Sequence, residues 1–405
     1  MKFGIFYEHQ IPRPWTEESE YALLHESLDQ IELADGLGYD YAWEVEHHFM
    51  EEYSHSSAPE VFLGAASQRT KNIRLGHGII QLTTNHPARV AERVSTLDLL
   101  SHGRVELGIG EGSSVTELHP FDRRFRDKRE VWEDAVRCLI PMFSKEGWEY
   151  HGSHFDFPLR NVVPKPRQRP HPPLWVACSQ FQTIEMAGRR GLGVLAFQFL
   201  GAEMANAWVN AYYNAVTKRL DRLCEYEINP QIAIVSNFMC CESDEEALEK
   251  AEGSTFFQFA LLFYNRHGPV VPGSISLWEE YLKWRETDEG LKARRASGLI
   301  GSPKTLTERL HRFAASNIDQ VILINQTGKN RHEDICSSLE LFARDVMPEF
   351  HAMEPEHARW KESVLSGEIE LEEIDPSSLT PVSFQSVDWK KTQDAKADAA
   401  SGNGS

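Results

Sequence analysis

Two histidines follow two carboxylates in the run Glu44-Val45-Glu46-His47-His48-Phe49. An imidazole with an unperturbed pKa of ~6.5 is the side chain best suited to give or take a proton near neutrality. Metal ligation is the competing use. Neighbouring residues on a strand or loop point apart, so His47 and His48 do not converge on one ion, and no HxH or HExxH spacing surrounds them. A packed structural histidine is a third reading for either residue.

A second group could hold an anion. The run VELGIGEG ends in Gly108, Gly110 and Gly112, spaced either for backbone amides to approach a ligand or for a plain turn. Ser113 stands where the dinucleotide fingerprint needs its last glycine, so that motif fails. Ser179 and Thr183 straddle a helix start, where free amides and the helix dipole attract anions; as an alternative, Ser179 is an ordinary N-cap. Arg129, early on another helix, is a fixed cation able to reach the same place, or else a solvated surface charge. Arg104 sits at the amino end of its strand and is assigned to stability.

These residues fall where strands end. Candidate strands are 2 to 6, 40 to 44, 73 to 80, 104 to 109, 174 to 178, 193 to 196, 231 to 239 and 320 to 324. Between them lie amphipathic stretches near 17 to 37, 57 to 70, 87 to 101, 128 to 144, 180 to 190, 203 to 218, 244 to 264, 304 to 316 and 331 to 347. In the third of these, Pro87 suits a first helical turn, Val90, Ala91, Val94, Leu97 and Leu100 make one apolar face, and Gly103 stops the helix. Eight strands alternating with helices predict an α/β fold, a (β/α)₈ TIM barrel with insertions. A doubly wound open sheet would place a phosphate fingerprint after its first strand, where this chain has Tyr7 and Glu8. In a barrel, chemistry belongs at the carboxyl ends of the strands, which here carry the Glu-His-His run, Gly78-Ile79 with Gln81, Gly110 to Ser114, Cys178-Ser179-Gln180, and Asn325.

The expected domain is residues 1–350, interrupted near 146–172 and 265–302. These insertions serve either as lids over the catalytic face or as oligomer contacts and exposed helices. Residues 351–405 turn acidic and polar and are expected to be a loose tail. A net charge of −19 opposes nucleic-acid binding, which needs a basic surface. No apolar run reaches membrane-span length, and the amino terminus reads directly as a strand without a signal-peptide core, so a cytoplasmic protein is expected. The six cysteines are scattered and suggest neither a disulfide framework nor a metal site.

Three segments together resemble the bacterial luciferase-like flavin monooxygenase family: EVEHHF at 44–49, HPARVAERVSTLDLLSHGRVELGIGEG at 86–112, and LWVACSQFQTIEMAGRRGLG at 174–193. GSPKTLTERL at 301–310 is similar to that family's last-barrel segment. The resemblance covers residues 1 to about 350 and implies a barrel that binds reduced FMN, captures O₂ as a flavin C4a-hydroperoxide, and oxygenates a small organic substrate by hydroxylation or Baeyer–Villiger chemistry. It implies a homodimer. No nicotinamide fingerprint is found in the chain, so a separate NAD(P)H:flavin reductase is implied as well.

Residue by residue, His47 matches the family's catalytic histidine, with His48 beside it. Gly78-Ile79 matches a strained non-proline cis peptide facing the flavin, and Arg129, Ser179, Gln180 and Thr183 match the phosphate-binding region. Two positions depart from luciferase itself. Glu111 replaces an arginine that contacts phosphate there, and would repel that group unless turned away. Gly110 replaces a reactive cysteine, so light emission with a long aldehyde is not expected. A deazaflavin (F420)-dependent oxidoreductase on the same barrel, a noncatalytic flavin-binding barrel and a metal-dependent hydrolase are the rival readings. Trp15, Phe49, Phe197, Phe199 and Trp278 are either an apolar substrate pocket or core and interface aromatics.

Overall fold

The computed structural model describes residues 1–197, 202–218, 220–267, 270–295 and 298–374. Its centre is eight parallel strands: β1 (Lys2–Tyr7), β2 (Tyr41–Val45), β3 (Arg74–Gln81), β4 (Val105–Gly110), β5 (Leu174–Cys178), β6 (Gly193–Ala196), β7 (Ile232–Cys240) and β8 (Gln320–Gln326). Each pairs with the next in chain order, and β8 returns to β1 with Lys2 opposite Gln320, so the sheet closes into a barrel. Helices lie between successive strands on the outside, as the alternation predicts. Because all strands run one way, their carboxyl ends form a single rim.

The barrel interior is filled at its amino end by large side chains fitted against glycines. Trp43 and Trp175 meet edge to face with ring centroids 5.3 Å apart. A Cβ on Gly76 would fall 2.1 Å from the Trp43 ring, and one on Gly193 would fall 2.6 Å from Trp175. Glycine at these positions is therefore what lets two indoles share the bore. The Trp175 indole N–H donates to buried Glu106 at 2.6 Å, and Glu106 pairs with Arg74, whereas the Trp43 indole N–H is buried without a hydrogen-bond partner.

Arg104 has the structural role assigned from sequence. It is buried and donates to Ser101, Thr70, Ile73 and Ser67 oxygens at 2.7–3.1 Å, stitching the end of helix Pro59–Arg69 to the start of β4.

The two insertions differ in where they lie. The first contains a hairpin, Trp148–His151 with Asp156–Arg160, laid against the outer helices: Trp148 donates to the Cys138 carbonyl and Tyr150 to Asp134. Phe155 and Phe157 also reach His86, at the start of helix Pro87–Leu100, and Arg123 lies over Phe155. The second carries helices Leu277–Trp284 and Asp288–Arg295, and its first helix packs Trp278 and Tyr281 on Phe256, above the barrel interior.

The tail expectation needs correction up to residue 374. Helix Glu354–Leu365 is ordered because His357 and Lys361 both reach buried Asp319, each at 2.8 Å, and Trp360 packs on Tyr213. Burial would raise the Asp319 carboxyl, but Lys361 and His357 outweigh it and hold it at about 2. Beyond this helix, Leu371 and Ile374 pack on the core. Residues 375–405 lie outside the described residues.

Candidate active site

The Glu-His-His run leaves β2 at the rim, and the two imidazoles diverge as adjacent residues should. His47 is 17% exposed. Its Nδ1 donates to Glu117 Oε1 at 2.7 Å, while Nε2 faces Glu8 Oε1 at 3.2 Å. His48 turns the other way, with Nε2 2.9 Å from Glu46 and its ring against Phe121. Among the described residues no group of three or more His, Cys, Asp or Glu side chains is placed to hold a metal ion.

The two carboxylates around His47 have opposite environments. Glu117 sits on the short helix Val115–Leu118 after β4, with Ser114 as its N-cap. Besides His47, it accepts from Gln81 Nε2 at 2.7 Å, Ser113 Oγ at 3.0 Å, Ser114 Oγ at 3.1 Å and the His48 backbone at 3.3 Å. Burial alone would raise its pKa, but His47 and these donors bring it down to about 2. Glu8, just past β1, is fully buried with no hydrogen bond to either oxygen, and burial pushes it up to about 8 despite His47. Burial likewise opposes charge on His47, yet Glu117 and then Glu8 raise it to about 9. The surroundings therefore favour the ionised form of Glu117 and the cationic form of His47, while burial works against the charge on Glu8. Glu8, His47 and Glu117 are coupled and titrate as a unit.

Sequence reasoning missed Glu117 and Glu8 as site residues. Ser114-Val115-Thr116-Glu117 is a capping-box pattern that marks a helix start at the rim. Glu8, which follows the first strand directly, served only to exclude a phosphate fingerprint. Gln81 ties the loops together: its amide donates to Glu46 O and Glu117, and its backbone N–H donates to Glu46 Oε2.

The Gly78–Ile79 peptide is trans, correcting the expected cis bond. The cis peptides among the described residues all precede prolines, at Arg13–Pro14, Val163–Pro164 and Arg169–Pro170. Instead, β3 bulges here: pairing with β4 passes from His77 directly to Ile80, and pairing with β2 from His77 to Ile79. The bulge absorbs the extra residue and leaves Gly78 and Ile79 half-exposed at the mouth. Gly110 is buried beneath Ile79, where a Cβ would fall 2.8 Å from the Ile79 Cδ1.

Across the mouth, Ala177 is exposed on the otherwise buried β5. The chain then enters helix Phe181–Arg190 through Ser179 and Gln180, both exposed. The Thr183 hydroxyl is engaged in the cap, accepting from the Gln180 N–H at 3.2 Å and donating to its carbonyl at 2.6 Å. Arg129 and Glu111 both act on the thiol of buried Cys178, which places them near this helix start. Glu111 is turned onto cations: Arg129 Nε is 2.6 Å away and Lys128 Nζ 3.6 Å. Glu111 is thus paired with cations instead of standing bare, which offsets the repulsion it would offer a phosphate. Small residues at Gly78 and Ala177, with Ile79 beside Gly78 and exposed Ser179 and Gln180 at a helix start near Arg129, are a lining that fits a flavin ring and its phosphate.

The proposed aromatic pocket is only partly assembled. Phe197 packs between Phe6 and Phe257 at the mouth, and Trp278 sits in the covering helix. Trp15 lies under Arg13 and against His55, and Phe49 is 56% exposed. Phe199 lies outside the described residues.

A family model described as luciferase-like monooxygenase matches residues 1–320. The oxygenase component of a flavin-dependent trigonelline monooxygenase from Acinetobacter baylyi is 26% identical over 359 residues, covering 86% of this chain and 96% of that one. Among solved structures, a monooxygenase from Streptomyces bottropensis superimposes with a TM-score of 0.72 at 25% identity, over 86% of this chain and all of that one. The oxygenating constituent of 3,6-diketocamphane monooxygenase from Pseudomonas putida, in complex with FMN, shares the fold with a TM-score of 0.69 at 20% identity, over 86% of this chain and 98% of that one.

Proposed function

The chain belongs to the luciferase-like monooxygenase family and is a flavin-dependent monooxygenase, and on that premise we propose that it uses reduced FMN, delivered by a separate NAD(P)H:flavin reductase, to insert one atom of O₂ into a small organic substrate. The observation that carries this reading is His47, open to the rim and clamped between buried Glu117 and Glu8. When bound, reduced FMN supplies the electrons that activate O₂.

The protein's own groups divide the remaining work. Gly78, Ile79 and Ala177, unburied at the carboxyl ends of β3 and β5, would form the wall that receives the flavin ring. Arg129, Ser179, Gln180 and the amides opening helix Phe181–Arg190 would hold the phosphate, with Thr183 stiffening the turn from within. Glu117 fixes the Nδ1 proton of His47, so the proton His47 can pass on is at Nε2, on the Glu8 side. His48, bonded to Glu46, fixes the direction of the loop that presents His47. Phe197 and the covering helix keep the mouth apolar and limit water.

A homodimer fits the outer face of helices Pro59–Arg69 and Pro87–Leu100. Val61, Leu99 and Leu100 are exposed there, beside a groove of about 270 Å³ lined by Glu60, Arg89 and Glu92 among others. Mixed charge around apolar side chains suits a face that meets its own copy.

The test is anaerobic titration with reduced FMN, then mixing with ¹⁸O₂ and trigonelline as a first probe, since a relative is named for that substrate. Binding of reduced FMN and ¹⁸O in a product would support the reading. Failure to bind reduced FMN, with deazaflavin binding in its place, would overturn it.

A further inference from the structure

The loop that carries His47 is tied to the covering helix by one buried side chain. Glu52 is 1% exposed, and its carboxylate accepts three backbone N–H groups from two other segments. These are Arg13 at 2.9 Å, from the loop after β1, and Leu277 at 2.6 Å and Trp278 at 3.2 Å, the first two residues of helix Leu277–Trp284. Its neighbour Glu51 repeats the pattern nearer the surface, accepting from Arg13 Nη2 at 2.7 Å and the Gly273 N–H at 3.2 Å. Three segments far apart in sequence thus meet at one carboxylate over the mouth.

The next residue, Tyr53, connects this knot to the proton-holding group. Tyr53 is 2% exposed, and its ring stands edge to face on His47 with centroids 5.5 Å apart. Its other contacts are Phe257 at 5.4 Å and Tyr264 at 6.4 Å, both on helix Glu252–His267. A tight turn, with the Tyr53 and Ser54 N–H groups both donating to the Met50 carbonyl, makes Glu52 and Tyr53 move together. The side chain that accepts from the start of the covering helix and the ring that stands on His47 are thus neighbours on one turn.

We propose that Glu52 is a positioning residue for the oxygenation reaction, joining the covering helix to the His47 loop so that His47 is shielded only while that helix is docked. It rests on the monooxygenase reading, in which a dry, aimed His47 matters. Three charge-assisted hydrogen bonds from backbone to one buried carboxylate make a strong joint that a neutral side chain only partly reproduces.

The test uses the full chain without cofactor, so its failure is distinct from a failure to bind reduced FMN. Amide hydrogen exchange of peptides covering 11–15 and 276–284 is followed together with the rate at which diethyl pyrocarbonate acylates His47, read by mass spectrometry. In Glu52→Ala both peptides should exchange at least tenfold faster, and His47 should be acylated several-fold faster. Glu52→Gln should fall between this and the parent, because its carbonyl still accepts, and it serves as the folded alternative if the alanine variant does not fold. Faster exchange with unchanged His47 acylation in both variants would reduce Glu52 to a structural clamp and overturn the proposal, as would no change in either measurement.

Discussion

Replacing Glu117 with Gln removes the negative charge 2.7 Å from His47 while preserving the side chain's size. Burial opposes charge on His47, but Glu117 and then Glu8 outweigh it and hold the imidazole at about 9 against an ordinary 6.5, a preference for the cation of about 3 kcal/mol. Glu117 is the larger of the two raising influences. Without it, burial and the remaining Glu8 should leave His47 near or below ~7, neutral at the pH where the parent is cationic. Histidine labelled with ¹³C at the ring, titrated by NMR and assigned by the signal lost in His47→Gln, reads this directly. The alkaline limb of the oxygenation profile should move with it. The stability contribution of the pair has a definite pH window. A histidine raised in the fold stabilises fully below its unfolded value and ceases to as pH rises through about 9, while a carboxylate lowered to about 2 stabilises above its unfolded value and loses this as pH falls through about 2. The variant's loss of thermal stability should accordingly be greatest between about pH 4.5 and 6.5. A His47 signal still titrating near 9 in Glu117→Gln would refute the argument and hand its charge state to Glu8.

Other substitutions probe the remaining parts. His47→Ala should leave reduced-flavin binding within a few-fold of the parent but lower product formed per flavin oxidised by roughly 10²-fold or more, with hydrogen peroxide appearing instead; undiminished product yield would remove His47 from the chemistry. Arg104→Met should cost about 3 kcal/mol or more in chemical unfolding, because buried carbonyls of helix Pro59–Arg69 lose their donors, with little effect on flavin affinity. Asp319→Asn should cost about 2 kcal/mol at neutral pH. The cost should vanish as pH falls from the unfolded carboxyl range through about 2, where the parent loses the same contribution, as an acid-titrated melting curve would record.

The strands were readable because each is a short run of β-branched or aromatic residues bounded by glycine, proline or charge. The observed limits of β1 to β8 differ from the expected ones by no more than two residues. Periodicity does not disclose which long-range carboxylate meets a histidine. His47 was readable from its type and place, but Glu117 lies 70 positions away on a four-residue helix too short to show a pattern. The same limit explains the tail: 354–365 looks acidic and polar, and what orders it is the single buried Asp319, whose need for partners no local window reveals. At Gly78–Ile79 the location was legible and the backbone geometry was not, since the same dipeptide reads alike in sequence whether the strand bulges there or passes through a cis bond.

The pairing of Glu111 with Arg129 and Lys128 bears on how long a cofactor stays. A flavin that arrives reduced and departs oxidised is a travelling reagent, and an enzyme that gripped its phosphate with bare cations would keep the spent form. On the proposed reading, a carboxylate already seated on those cations would compete with the phosphate and shorten its residence. Glu111→Gln should tighten oxidised FMN by about 1 kcal/mol, roughly fivefold, mostly through slower dissociation, and so make cofactor exchange rate-limiting in steady turnover.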